Sequence, residues 1–268
     1  MPKTATAPAA ATDFVALANR LADESGKVIA KYFRSAFHIE DKQDASPVTI
    51  ADKEAEQAIR AILAKERPDD GIHGEEFGSA KGKSGYLWVL DPIDGTKSFA
   101  TGRPIFATLI GLVHNGEAVL GVINQPITGD RWIGVKGKGT THNGKRVHAR
   151  KCPDISKANV STTGPDLFEL DEYLKLYAFL KEHTGFTLYG GDCYSYGCLA
   201  SGWLDGVCEG HMKLHDYAAL IPVVEEAGGL ITDWQGKRLP LEPSFDDQQV
   251  IASGDKPLHE RLRKLLSA

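Results

Sequence analysis

The chain predicts a mixed α/β fold, and three textures along it carry that prediction. Apolar residues recur at steps of three and four near the start, gather into strand-length runs through the middle, and then alternate between the two periods to the end. Helices first, strands next and alternation last suit one compact unit with two lobes. We set a disordered leader over residues 1–11, an N-terminal α+β lobe over 12–150 and a C-terminal α/β lobe over 151–268.

The leader is almost entirely Ala, Pro and Thr, without the apolar stretch of a secretory signal. Phe14, Leu17, Ala18, Leu21, Val28, Ile29 and Tyr32 then mark a first amphipathic helix, which Thr12 could cap. Lys42 to Thr49 reads as a polar connection into a second helix over Ile50–Glu66, which buries Ala55, Ile59, Ile62 and Leu63 and stops before Pro68. Strands follow at Tyr86–Asp91, Ala107–Val113, Ala118–Asn124 and Arg131–Val135. The turn at His114-Asn115-Gly116-Glu117 and the hairpin signal at His142-Asn143-Gly144-Lys145 punctuate them. Beyond Cys152 the chain alternates: helix Leu170–Glu182, strand Phe186–Tyr189, helix Tyr194–Gly202, strand Gly206–Glu209, helix Asp216–Ala227, strand Leu230–Asp233. A strand at Gln249–Ala252 and a helix at Lys256–Leu266 close it.

With 268 residues, 42% of them hydrophobic and 25% charged, the composition is that of a globular protein with a sizeable core. A formal net charge of −5 with dispersed lysines argues against a nucleic-acid partner, which would call for a basic face. No apolar run approaches a membrane span. The four cysteines, Cys152, Cys193, Cys198 and Cys208, lack paired spacing and read as reduced thiols of a cytoplasmic protein.

Chemistry concentrates in Trp88-Val89-Leu90-Asp91-Pro92-Ile93-Asp94-Gly95-Thr96, where an apolar run ends in two aspartates. A buried strand holds Asp91 rigidly, and a turn at Pro92 can return Asp94 and the Ile93 carbonyl to the same point, as a hard cation requires. Gly95 and Thr96 add backbone N–H groups and a hydroxyl suited to an anion. Glu75 and Asp216 could complete a two-metal set in which a shared carboxylate bridges the ions. Taken singly, each aspartate is better explained by a turn or a helix cap.

The Asp91–Thr96 hexapeptide, behind an apolar strand and an upstream Gly74-Glu75-Glu76, resembles the inositol monophosphatase superfamily of metal-dependent phosphomonoesterases. The resemblance extends through Lys42, Pro47-Val48-Thr49-Ile50-Ala51-Asp52 and Asp216 ahead of Glu226-Ala227-Gly228-Gly229, in family order. It implies a layered αβαβα sandwich of the sugar-phosphatase type and a homodimer. It also implies two to three Mg²⁺ ions per site, with Mn²⁺ a possible substitute. By that similarity Glu75, Asp91 and the Ile93 carbonyl hold one ion, Asp91, Asp94 and Asp216 a second, and Glu75 a weaker third. Asp52 and Thr96 orient the attacking water, which the metal activates for direct attack without a phospho-enzyme. The phosphate sits on the amides of Asp94, Gly95 and Thr96.

Two segments depart from the inositol enzymes, which commonly carry Trp-Asp where this chain has His215-Asp216-Tyr217, with Pro222 beyond. Together with Gly190-Gly191-Asp192-Cys193-Tyr194 they resemble the histidinol-phosphate phosphatase branch. Histidinol phosphate carries an ammonium and a protonatable imidazole, so its pocket calls for carboxylates, and Asp192, Glu209 and Asp216 are the candidates. Asp192 is equally readable as the N-cap of the helix that follows. His211 and His215 have the spacing of a zinc pair but lack its motif, and Mg²⁺ prefers oxygen, so neither is expected as a ligand. Cys193 has no phosphatase loop behind it, and Lys42 is expected near the metal carboxylates or in solvent.

The expected activity is therefore Mg²⁺-dependent hydrolysis of L-histidinol phosphate in histidine biosynthesis. The nearest alternative is an inositol-1-phosphate or broad sugar-phosphate phosphatase. A different class, a structural cation-binding protein, leaves the anion-binding Gly95 and Thr96 without a use.

Overall fold

The computed structural model describes residues 10–35, 39–41, 47–152, 154–165, 169–245 and 247–266. Lys42 lies outside them. The first helix, α1 (Ala10–Tyr32), starts ahead of Thr12, because Ala10 and Ala11 favour helix and carry it back past the expected cap. A small antiparallel pair, β1 (Ile39–Asp41) and β2 (Pro47–Thr49), occupies part of the expected polar connection before α2 (Ile50–Glu66).

An eight-stranded sheet follows, built from β3 (Gly71–Gly74), β4 (Gly78–Ala80), β5 (Tyr86–Asp94), β6 (Ala107–His114), β7 (Glu117–Gln125), β8 (Asp130–Val135), β9 (Gly139–His142) and β10 (Lys145–Arg146). Its order is β10-β9-β8-β7-β6-β5-β3-β4, antiparallel except where β3 runs beside β5. A short helix, α3 (Thr96–Ala100), leaves the end of β5. The second sheet has five strands in the order β12-β11-β13-β15-β14: β11 (Asn159–Thr162), β12 (Phe186–Tyr189), β13 (Gly206–Met212), β14 (Leu230–Asp233) and β15 (Gln248–Ser253). Between and after them come α4 (Leu170–His183), α5 (Asp192–Ala200), α6 (Leu214–Tyr217), α7 (Leu220–Glu225) and α8 (Lys256–Leu266).

Side-chain alternation stacks these elements into five layers. Trp88, Leu90, Ile110 and Val122 face Leu17 and Leu21 of α1 and Ile59 and Leu63 of α2. From the other face, Val89, Leu109, Ile123 and Trp132 meet Tyr196 and Leu199 of α5, Leu220 and Val223 of α7, and beyond them Val207 and Val250 of the second sheet. The far side of that sheet, with Val160, Cys208 and Ile251, is closed by Leu176 of α4 and Leu258 and Leu262 of α8. The expected αβαβα order is borne out.

The expected helix over Asp216–Ala227 is broken into α6 and α7, and the large sheet shows why. Gly111, Gly121 and Gly134 stand in register across β6, β7 and β8 and form a groove without side chains. A Cβ on Gly121 would sit 1.9 Å from the Ala219 carbonyl oxygen, and one on Gly134 2.2 Å from that of Pro222. The α6–α7 backbone therefore lies directly on the sheet, and the chain bends at Ala218 and Ala219 to follow it.

The expected end of β5 at Asp91 is also corrected. The strand continues to Asp94 across a register shift, in which Asp91 pairs with Leu109 and Asp94 with Ala107, so one residue is extra. Pro92 has no N–H to give the ladder, and a bulge tolerates that. Its carbonyl accepts from the Thr108 hydroxyl at 2.9 Å, which fixes the kink.

Candidate active site

The alternation that sends Val89 toward the second sheet sends Asp91 the same way, against α6, and the bulge then returns Asp94 to the same place. Glu75 arrives from β3, the parallel neighbour, where its amide donates to the Leu90 carbonyl at 3.1 Å. Asp216 comes from α6, its Oδ2 accepting the Lys213 amide at 2.6 Å in a capping box. One oxygen each from Asp91, Asp94 and Asp216 falls within a mutual 4.8 Å. A second group, sharing Asp91, joins it to Glu75 and a ring nitrogen of His215 within the same span. Among the residues expected as ligands, Glu75, Asp91, Asp94 and Asp216 are thus brought together.

Electrostatics make this nest unstable without positive charge. Burial pushes the Asp91 carboxyl well above the carboxylate range, and Glu75, Asp94 and Asp216 push it further. Asp94 is raised by burial, then by Asp192 and Asp216, against the Cys193 amide that donates to its Oδ2 at 2.6 Å. Asp216 is raised chiefly by burial, with His215 and the Lys213 amide opposing. Asp91 Oδ1 is buried and accepts no hydrogen bond. Such an orphan is rare in protein interiors, and a carboxylate oxygen without donors among three other carboxylates fits a hard divalent cation.

Gly95 caps α3 with φ at 90°, which glycine adopts without strain. A Cβ there would stand 3.0 Å from Asp192 Oδ2, so Asp192 at the start of α5 lies directly over the Asp94-Gly95-Thr96 turn. The Ser98 hydroxyl also faces Asp192 Oδ2, at 3.3 Å. Asp192 is not the cap of α5; Gly191 takes that position, and Asp192 opens the helix at φ 43°. Its amide donates to Thr163 Oγ1, and the Thr163 hydroxyl donates to Glu209, which Tyr196 also reaches from 3.4 Å. Glu209 is buried, and burial pushes it up to about 8 despite Thr163, with Asp192 and Asp216 adding to the rise. Asp192 and Glu209 are therefore joined through one threonine at the edge of the nest.

Asp52 is buried in the first turn of α2, whose Ala51 and Ala55 pack against Ile93 and Phe99 on either side of Thr96. The Thr96 hydroxyl donates to the Ile93 carbonyl at 3.1 Å, and that oxygen keeps a second lone pair. His211 is exposed and bound to Asp247, far from the role of a zinc pair. The Cys193 thiol is pushed well up by burial and by Asp94, which makes it inert.

Reading the sequence missed Glu56. Fully buried, it accepts from Glu76 N at 2.8 Å and Phe77 N at 3.3 Å, so it holds the turn that carries Glu75. Gly74 is glycine because a Cβ would lie 2.0 Å from Glu56 Oε1. Spacing offered a signal, since Glu56 is one helical turn from Asp52 on the same face.

A five-layer α/β chain with a carboxylate nest between its sheets, at the start of a short helix, has the architecture of a metal-dependent phosphatase. The chain belongs to the inositol monophosphatase family, whose model matches residues 11–268; the family is Mg²⁺-dependent and acts on small phosphomonoesters. Over 254 residues it is 48% identical to the chloroplastic bifunctional phosphatase IMPL2 of Arabidopsis thaliana, covering 92% of this chain and 73% of that one. It is 36% identical over 254 residues to a histidinol-phosphatase of Chlorobaculum parvum, covering 92% and 93%. A solved inositol monophosphatase from Zymomonas mobilis superposes with a TM-score of 0.86 at 46% identity, covering 97% of this chain and 100% of that one. The expected family and its histidinol-phosphatase-like branch are borne out.

Proposed function

We propose that this phosphatase hydrolyses L-histidinol phosphate to L-histidinol and phosphate, the step expected in histidine biosynthesis. The observation that carries the reading is the pair of carboxylates, Asp192 and Glu209, linked through Thr163 at the edge of the metal-ligand candidates. A buried carboxyl held near 8 regains its charge when a cation arrives, and histidinol phosphate brings an ammonium and an imidazolium.

In this reading Glu75, Asp91, Asp94 and Asp216, with the Ile93 carbonyl, hold two to three Mg²⁺ ions, and Mn²⁺ can replace them. Bound there, the cations offset the carboxylate charge and lend acidity to a nearby water. Thr96 Oγ1, backed by Asp52, orients that water, while the amides of Asp94, Gly95 and Thr96 receive the phosphoryl oxygens. Asp192, Glu209 and Asp216 face the leaving group. Initial rates on histidinol phosphate and inositol 1-phosphate, with and without Mg²⁺, test the assignment. A preference of about tenfold for histidinol phosphate is expected, worth about 1.4 kcal/mol in transition-state binding. The reverse preference overturns it in favour of the second reading, an inositol-phosphate or broad sugar-phosphate phosphatase, which the 46% identity to an inositol monophosphatase supports.

We also propose a homodimer in a reducing compartment, the cytoplasm. The edge strand β12 exposes Phe186, Leu188 and Tyr189 beside Leu174 and Tyr177 of α4, an apolar margin that a second copy would cover. All four thiols are free, and no described helix is long and apolar enough to cross a membrane. Sedimentation as a monomer at every concentration would remove the dimer.

A further inference from the structure

His215 holds a place that the expected oxygen-only site does not explain. It is 8% exposed, and one of its ring nitrogens lies within 4.8 Å of both the Glu75 and the Asp91 ligand oxygens. Its Nδ1 is buried and makes no hydrogen bond, as is true of Asp91 Oδ1 in the same group. Nε2 is 3.5 Å from Asp216 Oδ1. The ring is held in place by a stack on His73, centroids 5.9 Å apart at 26°, and His73 is itself engaged through Nδ1 with Ser79 Oγ at 2.8 Å. A buried carboxylate oxygen without a donor, and a His215 ring nitrogen within 4.8 Å of the Glu75 and Asp91 ligand oxygens, share one natural partner, a cation that takes both.

We infer that His215 turns the Glu75–Asp91 position into a mixed nitrogen–oxygen site that holds a transition-metal dication more tightly than Mg²⁺. The inference rests on the reading of Glu75 and Asp91 as metal ligands and adds to it the identity of the ion. Mg²⁺ is a hard cation that takes oxygen donors and releases its waters reluctantly. An imidazole adds little for Mg²⁺ but strengthens binding of Mn²⁺, Co²⁺ and Zn²⁺ along the usual order of divalent affinities. Donors bound about 2.1 Å from one ion stand at most about 4.2 Å apart, so the observed span needs only a slight contraction around the metal. The Asp91–Asp94–Asp216 group is all oxygen and keeps the preference for Mg²⁺. The two positions therefore differ in kind, and the protein would work with unlike ions side by side.

Mn²⁺ titrated into the metal-free full-length chain is the probe, read by electron spin echo envelope modulation and by calorimetry. The expected result is ¹⁴N modulation on the tightest-bound Mn²⁺, present in the native protein, retained in His73→Phe and lost in both His215→Phe and His215→Gln. Calorimetry should show Mn²⁺ affinity falling about tenfold in the His215 variants while Mg²⁺ affinity moves less than about twofold. Mn²⁺ bound without ¹⁴N modulation overturns this inference and leaves the carboxylate site standing. No stoichiometric Mn²⁺ binding at all overturns both. Equal losses for Mn²⁺ and Mg²⁺ in folded variants, checked by circular dichroism, would make His215 a positioning residue and sink the mixed site.

Discussion

Buried carboxylates stand at both ends of the β3–β5 pair, and they behave in opposite ways. Asp70, just before β3, is 7% exposed, close to the 2% of Asp91 at the far end. Asp70 accepts from Arg67 Nε at 2.8 Å and Nη2 at 3.1 Å, from the Ser84 hydroxyl at 2.7 Å and from the Trp88 indole at 3.0 Å. Burial pushes its carboxyl up, but Arg67, Ser84 and Trp88 outweigh it and hold the group below its ordinary value. Asp91 meets carboxylates where Asp70 meets donors, and its proton is held tightly. Burial alone therefore does not mark a functional carboxylate; an excess of neighbouring carboxylates over donors does.

The largest effect that would break this contrast is at Asp94. Asp94→Asn should lower kcat by about 10³-fold or more, roughly 4 kcal/mol, because the nest loses one of the carboxylates proposed as ligands. The metal-free variant should melt at or above the native temperature, since an amide still accepts the Cys193 N–H and carries no charge into the nest. Undiminished turnover would end the two-metal assignment. Asp70→Ala is the mirror image. It strands the buried Trp88 indole N–H and removes the acceptor of the Arg67 Nε and Nη2, so urea unfolding should show a loss of about 3 kcal/mol, with activity per folded molecule intact.

What the sequence disclosed follows the same division. Elements with strong apolar periodicity, such as α1 and β5 to β8, were legible because burial of one face dictates their spacing. β3 and β4 were not, since Gly71-Ile72-His73-Gly74 has one large aliphatic residue and Gly78–Ala80 is exposed throughout. β11 escaped in the same way, and the break between α6 and α7 depends on a glycine groove in a distant sheet. At the site, Asp91, Asp94 and Glu75 were legible because a compact motif carries them. Glu56 and Thr163 act through other residues and leave no local signature, and no spacing in the sequence shows that the fold sets a His215 ring nitrogen beside Glu75 and Asp91.

Acid–base behaviour sharpens the comparison, because Asp70 and Glu209 at the edge of the nest fail in different pH ranges. Glu209 is raised from 4.5 to about 8, so the folded state binds its proton more tightly than the unfolded state. The metal-free fold must then lose stability as pH rises from 4.5 to about 8, at up to about 1.4 kcal/mol per pH unit for one group. Asp70 is lowered below 3.8, so its contribution is complete above 3.8 and disappears as pH falls through its folded value. Urea midpoints in a chelator, measured across both ranges, should show Glu209→Gln flattening the neutral limb and Asp70→Asn the acid limb. If neither limb changes slope, the contrast in proton affinity between Asp70 and the edge of the nest is wrong.

The smallest effect belongs to Glu56, which joins the two behaviours in one residue. Its carboxylate is satisfied like that of Asp70, by Arg60 Nε at 2.7 Å and the amides of Glu76 and Phe77, yet those amides follow directly on Glu75. Glu56→Gln keeps the shape but turns one acceptor into a donor facing N–H groups, at a cost of about 1–2 kcal/mol in unfolding. The turn then holds Glu75 less firmly, so the Mg²⁺ concentration for half-maximal rate should rise about tenfold, while kcat at saturating Mg²⁺ stays within about twofold. That split separates positioning from chemistry. A collapse of kcat with unchanged Mg²⁺ dependence would show Glu56 acting on the substrate, and a satisfied carboxylate would then have to count as part of the reacting centre.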